Sequence, residues 1–278
     1  MIAFQHSRLF VFQSALFQTN AAVIEGDSFV LVVDPTWLPQ EVEQIAEFVH
    51  TIRAGRTLYT LFTHSDFDHI LGYGAFPDAI TIASQAFAEN ADKKRSVDKI
   101  RAWDSEYYVQ RPYDIRYPQV DIVAAFDGQE LMIGETRLTF YSAPGHNPDG
   151  LFAVVEPHGI LIAGDYLSDI EFPYIYQSSA AYEETLGKMD GMLARHAVRV
   201  LVPGHGHVTT DLGEMRNRQR RSQGYIRALR RHINAGDQLA LDTMLDEYAF
   251  PQGMKTFHEG NQTLMRAEAQ TVPGKQDS

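Results

Sequence analysis

The chain of 278 residues contains no cysteine. Disulfides and thiolate ligands are therefore excluded, and any bound metal must be held by histidine, aspartate or glutamate. No apolar run approaches the ~18 residues that a membrane-spanning helix needs, so no membrane association is expected. Positive charge is scarce: 24 lysines and arginines face 36 acids, for a net charge of −12. A nucleic-acid partner calls for a basic surface that displaces counterions, and none is expected here. The one basic run, Arg216-Asn217-Arg218-Gln219-Arg220-Arg221, is local and fits the solvated face of a helix. The stretch from Met1 to Phe17 lacks the charged start and small-residue cleavage site of an export signal, so a cytoplasmic location is expected. No Pro/Ser-rich linker divides the chain. A single domain over residues 1–278 is expected, with a core at about 8–211 and a helical C-terminal extension at about 212–270.

Short apolar runs bounded by turn residues predict strands at Leu9–Phe17, Asn20–Glu25, Phe29–Val33, Leu58–Phe62 and Ala79–Ala83. Asp34-Pro35 ends the third, because proline restricts its predecessor and cannot extend the ladder. Val42, Ile45, Ala46 and Val49 make one apolar face of a helix from Pro39 to Ile52. Ser84 is placed to cap a helix starting at Gln85, with Asp92-Lys93-Lys94-Arg95 on its exposed side. Trp103 to Tyr117 has no clean period and reads as part of an irregular insertion (85–120) that covers the site. Its tyrosines suit packing better than catalysis.

In the second half, strands are predicted at Glu130–Ile133, Thr136–Ser142, Leu151–Val155, Ile160–Ala163 and Val198–Val202, with a helix at Ala180–Ala194. From Leu212 the chain is mostly helical, with Met215, Ile226, Leu229 and Ile233 facing inward and segments at Asp237–Tyr248 and Gln262–Ala269. Val272 to Ser278 is polar and expected to fray. Two halves of strands and helices suggest an α/β fold, a four-layer αββα sandwich.

Four places put ligand-type residues directly after a predicted strand. They are His64-Ser65-Asp66-Phe67-Asp68-His69, His146 in Pro144-Gly145-His146, Asp165 in Gly164-Asp165, and His205 in Pro203-Gly204-His205. Two divalent ions ~3.5–4 Å apart need imidazoles, carboxylates and one bridging group. His64, Asp66 and His146 suit one ion; Asp68, His69 and His205 suit the other; Asp165 suits the bridge. A catalytic site would leave positions open for water or substrate. His6, His50, His158, His196, His232 and His258 lack such context and are expected at the surface or at helix ends. Asn147 and Asp149 are explained by a turn, Asn147-Pro148-Asp149-Gly150. Tyr174 and Tyr176 are candidates to line a substrate pocket, and His207 is a candidate to support the site.

As a set, these motifs resemble the metallo-β-lactamase superfamily, whose signature is His-x-His-x-Asp-His followed by a distant His, Asp and His. The resemblance runs from about Asn20 to Gly206 and includes the strand end at Asp34. It implies the metallo-β-lactamase-like αββα fold and a dinuclear metallo-hydrolase. A metal-bound hydroxide would attack a small ester, lactone, thioester or related small-molecule substrate, and Asp68 would orient the water or pass a proton. It also favours His205 over His207 as the ligand, since Pro-Gly-His is the family element. Two divalent ions are expected, zinc foremost.

One departure is plain: Asp66 stands where the family carries its second histidine. A carboxylate there adds charge and harder oxygen ligation, which shifts preference towards iron or manganese. Flavodiiron members carry a glutamate at that place, so a non-haem di-iron oxidoreductase is an alternative. A non-catalytic metal-binding protein on the same scaffold is another.

Overall fold

A computed structural model describes residues 2–271. In chain order the elements begin with strands β1 (Ile2–His6), β2 (Leu9–Gln13), β3 (Asn20–Glu25) and β4 (Phe29–Val33), then helix α1 (Pro39–Arg53) and β5 (Thr57–Leu61). The short helix α2 (Phe67–Ile70), β6 (Ile80–Ser84), α3 (Gln85–Ala88), α4 (Lys93–Glu106) and β7 (Ile122–Ala124) complete the first half. The second half holds β8 (Gln129–Ile133), β9 (Thr136–Ser142), β10 (Leu151–Glu156), β11 (Ile160–Ile162), α5 (Ser179–Arg195) and β12 (Val200–Val202). Helices α6 (Leu212–Ala235), α7 (Gln238–Thr243) and α8 (Pro251–Thr271) follow.

Strands β1 to β7 form one sheet in sequence order, and a second sheet runs β12-β11-β10-β9-β8. The apolar runs explain why these strands are central. In β4, Phe29, Leu31 and Val33 face the other sheet, while Val30 and Val32 face the layer that holds Val42 and Ile45 of α1. In β10, Leu151, Ala153 and Val155 face the inter-sheet core, while Phe152 and Val154 face Leu186, Met215 and Leu229 of α5 and α6. A strand covered on both faces needs apolar residues at every position, and period-2 geometry sends them alternately to the two cores. Three apolar layers thus separate helix, sheet, sheet and helix. This is the αββα sandwich, with the C-terminal helices on the outer face of the second sheet.

Several local expectations are corrected. The first predicted strand stops at Gln13, not Phe17: Phe17 and Gln18 adopt left-handed backbone, φ 54° and 48°, and turn the chain towards the second sheet. The segment before it forms its own edge strand, β1. The insertion is more regular than its sequence suggests. Helix α4 runs through Trp103, with Val97 and Ile100 inward, and β7 adds an edge to the first sheet. Trp103 packs against Trp37 with ring centres 4.3 Å apart, and Tyr113 and Tyr117 join the core outside the first sheet. The last helix begins at Pro251, well before Gln262. The expected fraying at Val272–Ser278 lies outside the described residues. Among the described residues, no helix is long and apolar enough to cross a membrane.

Candidate metal centre

All four ligand-bearing segments leave the C-terminal ends of strands and meet at one end of the two sheets. His64 follows β5, His146 follows β9, Asp165 follows β11 and His205 follows β12. Helix α2 supplies Asp68 and His69, with Asp66 at its N-terminal boundary. The two sheets are joined here: Asn20 N–H donates to Gly204 O at 2.7 Å, and Leu151 N–H donates to Thr63 O at 2.8 Å. Glycine is needed at two of the turns. Gly145 has φ +124°, and a Cβ there would fall 2.4 Å from the Tyr182 backbone. A Cβ on Gly204 would fall 2.3 Å from Asp165 Oδ1, so a side chain would enter the ligand cluster itself.

The seven predicted residues come together as two groups, His64, Asp66, His146 and Asp165, and Asp68, His69 and His205; within each group the donor atoms lie within 4.8 Å of one another. Asp165 spans both. Its Oδ2 is 3.5 Å from His64 Nε2 and 3.2 Å from His146 Nε2, while its Oδ1 is 3.0 Å from His69 Nε2 and 3.4 Å from His205 Nε2. Asp66 Oδ2 is 3.2 Å from His146 Nε2 and 3.9 Å from His64 Nε2. Asp68 Oδ2 lies 3.6 Å from His69 Nε2 and 3.5 Å from His205 Nε2.

Every imidazole presents Nε2 inward and has its Nδ1 held from outside. His146 Nδ1–H donates to Tyr174 O at 2.7 Å, and His205 Nδ1–H to Phe17 O at 2.9 Å. His69 Nδ1–H donates to Asp34 Oδ2 at 3.0 Å. Thr63 Oγ1 also donates to Asp34 Oδ2, which leaves its lone pair to accept from His64 Nδ1–H at 3.0 Å. Acceptors on Nδ1 select the tautomer whose Nε2 lone pair is free for a metal. Among the described residues, the buried atoms His64 Nε2, His69 Nε2, His146 Nε2 and Asp165 Oδ1 make no hydrogen bond. Buried polar atoms are ordinarily paired, so a cluster of convergent, unpaired imidazole and carboxylate donors fits a pair of divalent cations.

The electrostatics agree. Burial works to lower His69 and His146, but the adjacent Asp165, with Asp68 or Asp66, raises both well above the usual histidine range. Burial also opposes the charge on His205, yet Glu171 and Asp165 push it up to about 10. Asp165 is held well below the carboxylate range by the four imidazoles, against its own burial. The carboxylates thus favour positive charge on the imidazole side, and a divalent ion competes with protons for the same Nε2 lone pairs.

Of the lesser candidates, Tyr176 stands 5.0 Å from the His146 ring, and Tyr174 holds His146 through its carbonyl. His207 is in neither group. Its side chain is 64% exposed and bonded to Asp169 Oδ2 at 2.8 Å. Of the histidines expected at the surface or at helix ends, His196 does cap the C-terminus of α5, buried between Tyr141 and Glu156, whereas His258 is buried within α8 between Tyr225 and Leu241. The turn explanation for Asn147 and Asp149 accounts for the backbone only, since both side chains are buried.

Sequence reasoning misses three supports. Asp34 reads there only as a strand end, although it follows a strand just as the ligands do. Glu171 lies 4.0 Å from His205 Nδ1, its carboxyl pushed up to about 7 by burial; no local pattern marks it. Asn261 of α8 clamps the loop that fixes His146: its Nδ2 donates to Pro173 O at 2.6 Å and its Oδ1 accepts from Ile175 N–H at 2.9 Å.

A family model described as the metallo-beta-lactamase superfamily matches residues 15–205. A curated relative from Bacillus sp. (strain 170), "Metallo-beta-lactamase type 2", is 24% identical over 207 residues, covering 73% of this chain and 72% of its own. Among solved structures, a metallo-beta-lactamase family protein from Thermus thermophilus superposes with a TM-score of 0.61 at 17% identity, covering 96% of each chain. The sec-alkyl sulfatase PisA1, as a double mutant, reaches a TM-score of 0.68 at 14% identity, covering 98% of this chain and 50% of that one. At these identities the structural likeness establishes the fold.

Proposed function

The chain belongs to the metallo-beta-lactamase superfamily, and on that premise we propose that it is a dinuclear metallo-hydrolase acting on a small-molecule ester, lactone or thioester. The observation that carries this reading is the set of four inward Nε2 atoms, each backed by an Nδ1 acceptor, around the two-faced carboxylate of Asp165. His64, Asp66 and His146 would hold one ion, Asp68, His69 and His205 the other, with Asp165 shared between them. When bound, such ions polarise the scissile carbonyl and lower the pKa of water.

The chain's own residues supply orientation and proton handling. Asp34 fixes two imidazoles at once, His69 directly and His64 through Thr63. Asp68, beside His69 and His205, offers an acceptor oxygen for the proton of an attacking water. Tyr176, close to His146 and half exposed, is placed to flank the substrate. Zinc suits the imidazole-rich set, while the third carboxylate, Asp66, also accommodates iron or manganese. The relatives do not favour the iron redox alternative.

The test is elemental analysis of the purified protein together with a panel of esters, lactones and thioesters. Two equivalents of metal, loss of turnover on chelation, recovery on adding zinc, and loss of turnover in His64→Ala are the expected results. Hydrolysis that survives exhaustive chelation, or is unchanged in His64→Ala, would sink the reading.

A further inference from the structure

One cavity of about 500 Å³ lies alongside the cluster, within the range of ~300–1,000 Å³ usual for small-molecule sites. It shares its walls with the centre. Phe17, whose carbonyl fixes His205, and Tyr174, whose carbonyl fixes His146, both line it, as does Glu171 beside His205. The remaining walls are chiefly apolar, with Ile170 from the loop after Asp165, Phe250 just before the last helix and Met254 in its first turn. Among the described residues lining it there is no lysine or arginine.

We infer that this cavity holds an uncharged aliphatic chain of the substrate, so that the enzyme prefers medium-chain acyl esters or thioesters to short or anionic ones. This rests on the hydrolase reading above. Three observations support it. The cavity is walled by Phe17, Glu171 and Tyr174, which meet the outer, Nδ1 side of His205 and His146, so a chain lying in it runs up to the residues that support the metal-binding groups. The walls offer dispersion and apolar contact and no cation, so a carboxylate or sulfate at the far end of the chain would be buried unpaired, at a cost that a methyl end avoids. Finally, Phe17 and Phe250, which line the cavity, are large apolar side chains left about half exposed. Exposed aromatic groups gathered at a cavity mouth mark a binding surface more often than chance. The one acid in the wall, Glu171, faces His205 and so has a partner of its own.

The experiment uses zinc-loaded protein and p-nitrophenyl esters with acyl chains of two to twelve carbons. We expect kcat/KM to rise about fourfold per added methylene until the cavity is filled, as burial of a methylene in an apolar site implies. Ala249 lines the cavity from an exposed position and tolerates replacement without disturbing a core. Ala249→Trp should lower kcat/KM for the decanoate at least tenfold and leave the acetate unchanged. Phe250→Ala, also exposed, should flatten the series. A flat wild-type series, or one that A249W leaves intact, overturns the proposal.

Binding of 1-octanol, followed by calorimetry, separates this failure from failure of the hydrolase reading. If no ester of any length is cleaved, the hydrolase reading falls. The cavity assignment still stands if octanol binds and A249W weakens it tenfold. It falls if octanol does not bind, binds both proteins equally, or binds less tightly than octylammonium.

Discussion

At the scale of the residue, the most consequential side chain is one that touches no substrate. Asp34 receives three donors on two oxygens: Thr63 N–H on Oδ1, and Thr63 Oγ1–H and His69 Nδ1–H on Oδ2. An asparagine keeps the shape but turns an NH₂ towards at least one of these donors, whichever way it flips. Asp34→Asn should therefore weaken metal binding by about 10–100-fold, the usual cost of losing an outer support. Competition against a chromogenic chelator measures it, and an unchanged affinity would show that the carboxylate is not needed. Away from the centre, Glu156 accepts from Arg137 and His196. Burial works to raise its pKa, but those two partners outweigh it and hold the group below the ordinary glutamate value. A lowered folded-state pKa gives stability that is present above the unfolded pKa, ~4.3, and is lost as pH falls through the folded one. Glu156→Gln should cost about 1 kcal/mol at pH 7, the modest value expected of a half-screened site. The gap to the wild type should close in acid, as read by urea melts at several pH values.

At the scale of the element, the strand ends do the positioning and the helices hold the strand ends. Strands β4, β11 and β12 were legible because buried strands need unbroken apolar runs, and glycine or proline marks where they stop. Strand β7 was not: its three residues sit among tyrosines and prolines, and only pairing with β6 defines them. Helix α4 was anticipated only at its start, as the end of a helix expected from Gln85, since most of its positions are charged and its inward face is narrow. Helix α8 does more than cover the second sheet. Asn261 hydrogen-bonds on either side of Tyr174, and its Nδ2 also donates to Tyr225 Oη at 3.1 Å. Asn261→Leu keeps the volume and removes both clamps. It should weaken binding at the group containing His146 about tenfold and spare the group containing His205. Two-step metal titration distinguishes the two groups, and equal weakening of both would point to general loosening instead.

At the scale of the whole molecule, the convergence of the seven histidines and aspartates was legible because each segment that carries them follows a strand. What surrounds the ligands was not. The acceptors behind His146 and His205 are main-chain carbonyls of Tyr174 and Phe17, which any residue could supply. Glu171, Asn261 and the wall at Ala249 to Met254 are distant in sequence and converge only once the sandwich is closed. The acidic surface by itself identified neither substrate nor partner; it only narrowed the field. The Asn261 clamp carries one consequence beyond positioning. Because a coupling free energy is shared by both of its ends, whatever helix α8 contributes to the grip of His146 on an ion, the ion returns to the docking of helix α8. The same helix supplies the far wall of the cavity, so loading the centre and completing the substrate site become linked equilibria.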